Sequence, residues 1–158
     1  MASNERPKLA GLTGLRVAVT AGAGGIGLCI ARTLAGQGAR LAVCDVDEEA
    51  LDTARAEGGI EVAEVADVSE DAQVARFFER IAARMGGLDA VVNNAGIAGP
   101  TGGVEEIAPA DWCRCLDVCL TGQFLCAHHA VPMLKAAGGG AIVNISSAAG
   151  RFGYAYRT

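Results

Sequence analysis

The chain has 158 residues, of which 51% are hydrophobic and 20% are charged, a composition typical of one folded domain with a sizeable core. The 13 lysines and arginines against 18 acidic residues leave a net charge of −5, and no stretch forms the basic stripe that nucleic-acid binding requires. No apolar run reaches the roughly 18 residues of a membrane helix, and the polar start, Met1 to Lys8, lacks a signal-peptide core. We therefore expect a cytoplasmic protein that binds neither nucleic acid nor membrane.

Strands and helices are predicted to alternate in the first half of the chain. The β-branched run RVAVT at residues 16–20 meets a glycine cluster without a polar spacer, which is typical of a buried parallel strand. The elements predicted after it are a helix over residues 26–36, a strand over 41–44, a helix over 48–56 and a weaker strand over 60–66.

The alternation continues in the second half. The predicted elements are a helix that opens at Ser69 and ends at Gly86, a strand over 88–92, a long helix up to Lys135 and a strand over 141–145. The helical period of the long helix is carried by Trp112, Leu116, Cys119, Phe124, Ala127 and Val131. This order predicts an α/β fold, a doubly wound parallel sheet of about five strands. Because no helix is predicted after the fifth strand, we expect the C-terminal part of the fold to be missing.

The six cysteines lie inside periodic apolar segments, and no CxxC occurs. We interpret them as reduced thiols of the core or of helix surfaces. A metal or redox site is the alternative, because Cys115 and Cys119 are one helical turn apart and Cys126 shares a face with His129. All these ligands would have to come from one helix, so no metal site is predicted.

The segment TAGAGGIG at residues 20–27 lies where the first strand leads into the first helix. Small residues there let the backbone approach a pyrophosphate, and the helix N-terminus supplies free N–H groups and a positive dipole. A glycine-rich turn without a ligand is the alternative for such a cluster taken alone. The strand before it and the helix after it favour dinucleotide binding.

Asp45 follows the second strand about 20 residues later, where a carboxylate can accept hydrogen bonds from the hydroxyls of the adenosine ribose. The same charge would repel a 2′-phosphate, and no lysine or arginine lies between Leu41 and Thr53. NAD is therefore predicted in preference to NADP. A simple cap for the helix at Glu48 is the alternative role of Asp45.

Further motifs follow the later strands: Ala66-Asp67-Val68, Asn93-Asn94-Ala95-Gly96 and Asn144-Ile145-Ser146-Ser147. Together with the glycine cluster and Asp45, in this order, they resemble the short-chain dehydrogenase/reductase family. The likeness runs from about Leu15 to Thr158 and divides the chain into a loose leader, residues 1–14, and an incomplete dinucleotide-binding Rossmann domain, residues 15–158.

The resemblance implies a role for each matching residue. Asn93 would mainly brace the sheet. The cofactor-binding residues implied are Gly22, Gly25, Ile26 and Gly27 at the pyrophosphate and nicotinamide, Asp67 and Val68 at the adenine, and Asn94, Ala95 and Gly96 at the adenosine ribose. Taken alone, Asp67 is equally explained as a cap or turn residue, and Asn93 with Asn94 as turn residues.

Ser147 matches the catalytic serine, whose hydroxyl holds the substrate oxygen while a tyrosine exchanges its proton. That tyrosine needs a lysine one helical turn later to lower its pKa. The expected position of the tyrosine lies past Thr158, so the YxxxK motif is absent, and Tyr154 and Tyr156 are interpreted as loop residues. We expect the chain as given to be inactive.

Two further positions depart from the family pattern. Cys119 stands where the family has a catalytic asparagine, which removes the side-chain part of a water-binding role. Ala21 replaces the usual first glycine, which we expect to be a mild change because alanine is small and Gly22 follows at once.

The resemblance implies an oxidoreductase that transfers hydride between NAD(P) and a secondary alcohol or ketone, with a small-molecule substrate and a homo-oligomer in the complete form. Two other functions stay open at this point. One is a non-catalytic dinucleotide-binding or regulatory module, and the other is a truncated product without function, which would expose an apolar patch and aggregate.

Overall fold

In the computed structural model, which describes residues 11–156, parallel strands form one five-stranded sheet in the order β3-β2-β1-β4-β5. The strands are β1 (Arg16–Thr20), β2 (Arg40–Asp45), β3 (Ile60–Val65), β4 (Ala90–Asn93) and β5 (Ala141–Asn144). The helices are α1 (Gly25–Gly36), α2 (Glu48–Ala56), α3 (Asp71–Met85), α4 (Pro109–Leu116) and α5 (Gly122–Ala136). The predicted doubly wound α/β fold is confirmed, and each predicted strand overlaps an observed one.

Helices cover both faces of the sheet, which explains why the strands read as apolar runs. On one face, Val19 and Val43 belong to the core that includes Leu51 of α2. On the other face, Ala18 belongs to the core that includes Phe77 and Ile81 of α3. The chain winds from β1 outwards to β3 and then returns to β4 on the other side of β1. This reversal opens a crevice beyond the carboxyl ends of β1 and β4, where α/β sheets bind their ligands.

Helix α3 ends as its sequence predicts, because Gly86 adopts a left-handed conformation with φ of 73° after the last turn. Its predicted start at Ser69 is too early. The helix begins at Asp71 with Glu70 as its N-cap, because Ser69 bonds back to the carboxylate of Asp67 instead.

The predicted long helix is helical from Pro109 to Ala136, with a π-helical turn at Asp117–Thr121 between α4 and α5. Its predicted apolar stripe is not the buried one. Trp112 and Phe124 are exposed, whereas the buried residues are Val118, Gly122, Cys126, Ala130 and Leu134. Small residues let α5 approach its neighbours closely: a Cβ on Gly122 would lie 2.7 Å from Cγ2 of Val68.

Strand β5 lies at the edge of the sheet beside β4. Every residue of β5 is exposed, including Ile142 and Val143, as expected of a strand without a covering helix. No helix within residues 11–156 is long and apolar enough to cross a membrane. Most of the predicted leader lies outside the described residues, and its last part is tied to the domain by the N–H of Gly14, which donates to the carbonyl of Gly38.

An ion pair joins the start of β1 to the residue before β4. Nη2 of Arg16 donates to Oδ1 of Asp89 at 2.7 Å, and Nε donates to Oδ2 at 2.8 Å. The backbone N–H of Arg16 also donates to Oδ2, at 2.9 Å. The side-chain bond from Arg16 outweighs the effect of burial and lowers the pKa of Asp89 to about 2. Because this value lies below that of the unfolded chain, the pair stabilises the fold at neutral pH.

We expect the pair's contribution to be lost as the pH falls from about 4 to about 2, since Asp89 then takes up a proton. Replacing Asp89 with asparagine should lower the free energy of unfolding at pH 7 by about 2 kcal/mol and flatten its pH dependence in that window. Urea unfolding at several pH values measures both effects. Asp52→Asn is the control, because Asp52 pairs with Arg55 on an exposed surface. An unchanged acid slope in Asp89→Asn would contradict the prediction.

Candidate functional site

The turn between β1 and α1 is closed on its inner side. The N–H of Gly22 donates to the carbonyl of Cys44 at 3.0 Å, and a Cβ on Gly22 would lie 2.9 Å from Cβ of Val43. A Cβ on Gly27 would overlap the carbonyl oxygen of Ala21 and lie 2.6 Å from Nδ2 of Asn94. Both positions therefore require glycine for close packing.

The outer side of the same turn is open. A Cβ on Gly24 or Gly25 would meet nothing within 4 Å, and Ile26 is exposed. No side chain among residues 11–156 caps α1 at Gly24, and its first turn holds no acidic residue. The first N–H groups of a helix have no partner within the helix, and its N-terminus carries partial positive charge. This end of α1 is thus suited to a phosphate group.

Ala21 has a φ of 48°, in the left-handed region that favours glycine. Such a conformation costs a non-glycine residue about 1 kcal/mol. The expectation of a mild change rests on the small size of alanine and on the glycine that follows at once, Gly22. The structure shows that the backbone conformation adds a cost.

Asp45 faces the glycine turn from the end of β2. Its Oδ2 accepts a hydrogen bond from the N–H of Ala23 at 3.1 Å, and its Oδ1 accepts one from the N–H of Asp47 at 3.3 Å. The cap of α2 is Asp47, whose side chain accepts from the N–H of Ala50 at 2.9 Å. Asp47, and not Asp45, therefore caps the helix that begins at Glu48.

Thr20 and Asn94 join the glycine turn to the end of β4. The hydroxyl of the buried Thr20 accepts hydrogen bonds from the N–H groups of Asn94 and Ala95, each at 3.0 Å. Nδ2 of Asn94 donates to the carbonyls of Thr20 and Ala21, each at 3.1 Å. The sequence places Thr20 at the end of a strand and at the start of the glycine-rich segment, but it gives no sign of these hydrogen bonds.

Asn93 lies in the core at the end of β4. Its Nδ2 donates to Oδ1 of Asn144 at 2.8 Å, which links β4 to β5. Its own Oδ1 is buried and has no hydrogen-bond partner within the described part of the chain. The side chain connects strands, as the family resemblance implies.

A cavity of about 110 Å³ lies at this edge of the sheet. It brings together several of the residues predicted to bind the cofactor, namely Asp45, Asp67, Val68, Ala95 and Gly96. Its wall also includes Arg114 of α4, which nothing in the sequence marked as a site residue. The open N-terminus of α1 can approach a phosphate group, and carboxylates follow β2 and β3 beside it. This arrangement fits a dinucleotide.

Ser147 lies after β5 and caps a short 3₁₀ turn at Ala148–Gly150. Its Oγ accepts a hydrogen bond from the N–H of Ala149 at 3.2 Å. The side chains of Tyr154 and Tyr156 are exposed in the loop that follows. Ser147 does not line the 110 Å³ cavity, and its catalytic role stays a prediction.

Cys119 lies on the π-helical turn and contacts the backbone after β4. Its Sγ accepts from the N–H of Ile97 at 3.3 Å and lies 3.4 Å from the carbonyl oxygen of the same residue. All six cysteines are free thiols in the structure. Burial raises the pKa of Cys126 to about 12, and within residues 11–156 no three ligand-type side chains cluster as a metal ion requires.

A family model described as short chain dehydrogenase matches residues 16–158. The chain belongs to the short-chain dehydrogenase family. This confirms the resemblance inferred from the five motifs.

The chain is similar to two dehydrogenases from bacteria. It is 46% identical to cis-4-hydroxycyclohexanecarboxylate dehydrogenase from Sinomonas cyclohexanicum, over 89% of this chain and 58% of the relative. It is 40% identical to cyclohexanol dehydrogenase from Acinetobacter sp. (strain SE19), over 87% of this chain and 57% of the relative. The chain thus spans less than two thirds of the length of either enzyme.

The fold of this chain is also similar to that of an NAD⁺-bound xylitol dehydrogenase. The two superpose with a TM-score of 0.88 at 31% sequence identity, over 93% of this chain and 58% of the other. The similarity supports the α/β fold described above.

Proposed function

We propose that this chain binds NAD along the carboxyl ends of β1 to β4 and that it belongs to an oxidoreductase. The enzyme would transfer hydride between the cofactor and a secondary alcohol or ketone. The observation that carries the proposal is the shape of the glycine turn. It is closed where Gly22 and Gly27 contact the protein and open where Gly24 and Gly25 meet the uncapped start of α1. Bound NAD would supply the hydride chemistry, and the protein binds and orients it.

The proposed cofactor contacts follow the order of the motifs along the sheet edge. They are Gly22, Gly25, Ile26 and Gly27 for the pyrophosphate and nicotinamide side, Asp45 for the ribose hydroxyls, Asp67 and Val68 for the adenine, and Asn94, Ala95 and Gly96 for the border of the adenosine ribose. The shared cavity lined by Asp45, Asp67, Val68, Ala95 and Gly96 supports this assignment.

NAD is proposed rather than NADP because of Asp45. Its carboxylate has no ion-pair partner among the residues that the structure describes, and no lysine or arginine lies between residues 41 and 53. A 2′-phosphate beside it would meet an uncompensated like charge.

Ser147 is proposed to hold the substrate oxygen. Because its Oγ accepts from the N–H of Ala149, its own O–H stays available to donate. Neither Tyr154 nor Tyr156 is followed by a lysine within the 158 residues. We infer that these residues alone bind NAD but turn over little substrate, since losing a general acid removes at least about 10²- to 10⁴-fold in rate.

Calorimetric titration of the purified protein with NAD tests the proposal, followed by NADH formation with cyclohexanol as a secondary alcohol. We expect one NAD per chain and the same affinity in Ser147→Ala. Absence of binding at millimolar NAD would overturn the proposal. Rapid cyclohexanol oxidation by the 158 residues alone would overturn the inference of low turnover.

A further inference from the structure

The carboxylate of Asp67, in the loop after β3, is held from two sides. The N–H and the hydroxyl of Ser69 both donate to Oδ1, at 2.9 and 2.7 Å. Nη2 of Arg114 donates to Oδ2 at 2.7 Å, and Nη1 donates to the hydroxyl oxygen of Ser69 at 2.7 Å. These four bonds close a ring of contacts that leaves the carboxylate little freedom to rotate.

The backbone N–H of Asp67 is also held by a hydrogen bond. The N–H of Asp67 donates to Oε1 of Gln73 in α3 at 3.0 Å. Arg114 comes from α4, and both Asp67 and Arg114 line the cavity of about 110 Å³. The guanidinium therefore holds the carboxylate at the wall of the cavity.

The charge state of Asp67 suits an acceptor. Its partial burial by itself raises the pKa, but hydrogen bonds from Ser69 and Arg114 outweigh burial, and the pKa lies below its ordinary value. The carboxylate is ionised at neutral pH and can only accept. Each of its oxygens has two lone pairs, so Oδ2 can accept a second hydrogen bond beside that from Arg114.

We propose that Arg114 is a positioning residue for base recognition, which holds the Asp67 carboxylate as an acceptor for the exocyclic amino group of adenine. This inference rests on the proposed function, that a dinucleotide binds at this edge. Hypoxanthine carries a carbonyl oxygen where adenine has its amino group, so it would place an acceptor against the carboxylate. The Asp67, Ser69 and Arg114 network thus selects adenine.

The test compares dissociation constants for NAD and for nicotinamide hypoxanthine dinucleotide in the wild type and in Arg114→Ala, Arg114→Lys and Ser69→Ala. In Arg114→Ala we expect NAD affinity to fall about tenfold, the scale of one charge-assisted hydrogen bond. Affinity for the hypoxanthine analogue should stay unchanged, because it has no amino group to lose. The preference for adenine should fall less in Arg114→Lys, which keeps the charge, and should also fall in Ser69→Ala.

Equal weakening of both dinucleotides in Arg114→Ala would overturn the proposal, since Arg114 would then only tie a loop to α4. Wild-type protein that binds neither dinucleotide would overturn the proposed function itself, so the two failures are distinguishable. Arg32→Ala, which removes an exposed pair with Glu57, is the control and should change neither constant. If Arg114→Ala does not fold, the ratios for Arg114→Lys and Ser69→Ala decide the outcome.

Discussion

Replacing Gly27 with alanine is expected to abolish measurable NAD binding and to lower the free energy of unfolding by about 1–3 kcal/mol, the cost of overpacking. The added Cβ would overlap the carbonyl oxygen of Ala21 and press on the Asn94 amide. That amide donates to the carbonyls of Thr20 and Ala21. One methyl group would therefore push the start of α1 away from the turn and distort the surface proposed to bind the pyrophosphate.

Gly36→Ala is the matched control, because it makes the same change at the other end of α1. A Cβ on Gly36 would meet nothing within 4 Å, and alanine favours the helix by up to about 1 kcal/mol relative to glycine. Urea unfolding gives the stability, and calorimetric titration gives the NAD affinity. A Gly27→Ala protein that binds NAD and unfolds like Gly36→Ala would show that the contact is not tight in solution.

Asp45→Asn should reduce the preference for NAD over NADP by about tenfold or more, the scale of a lost charge-assisted contact combined with a removed repulsion. Asparagine keeps a side-chain oxygen that can accept from the N–H of Ala23, as Oδ2 of Asp45 does now. The glycine turn should therefore stay in place while the negative charge is lost. The measurement is the dissociation constants of NAD and NADP at one fixed ionic strength, because the phosphate interaction is screened by salt.

Asp47→Asn is the control for charge alone. Asp47 lies two residues later and caps α2 by accepting from the N–H of Ala50, a role in which asparagine serves equally well. The variant has the same net charge as Asp45→Asn. If both variants shift the cofactor preference equally, a general charge effect explains the result and the specific role of Asp45 is wrong.

The glycine turn and Asp45 could be located from the sequence because their chemistry is local. A strand that runs directly into small residues and then into a helix forms this turn whatever surrounds it. The partners of these residues could not be located in the same way. Thr20 and Asn94 are 74 residues apart, and only the pairing of β1 with β4 brings them together.

The long helix shows the same limit for packing. Its large apolar residues are evenly spaced, but Trp112 and Phe124 are exposed and the small residues Gly122, Cys126 and Ala130 are buried. Periodicity shows which residues share a face of the helix. The buried face is the one with small side chains, because α5 packs closely against α3 and Val68.

By itself, the sequence determined the alternation of strands and helices, the doubly wound fold, the glycine turn and the family, because these depend on residue types at short spacing. Only the tertiary structure decided that Arg114 holds Asp67, 47 residues away in the chain, and that Asp45 contacts the turn while Asp47 caps α2. The physical reason is that a hydrogen bond between distant residues forms only after strand order and helix packing have set the distance between them.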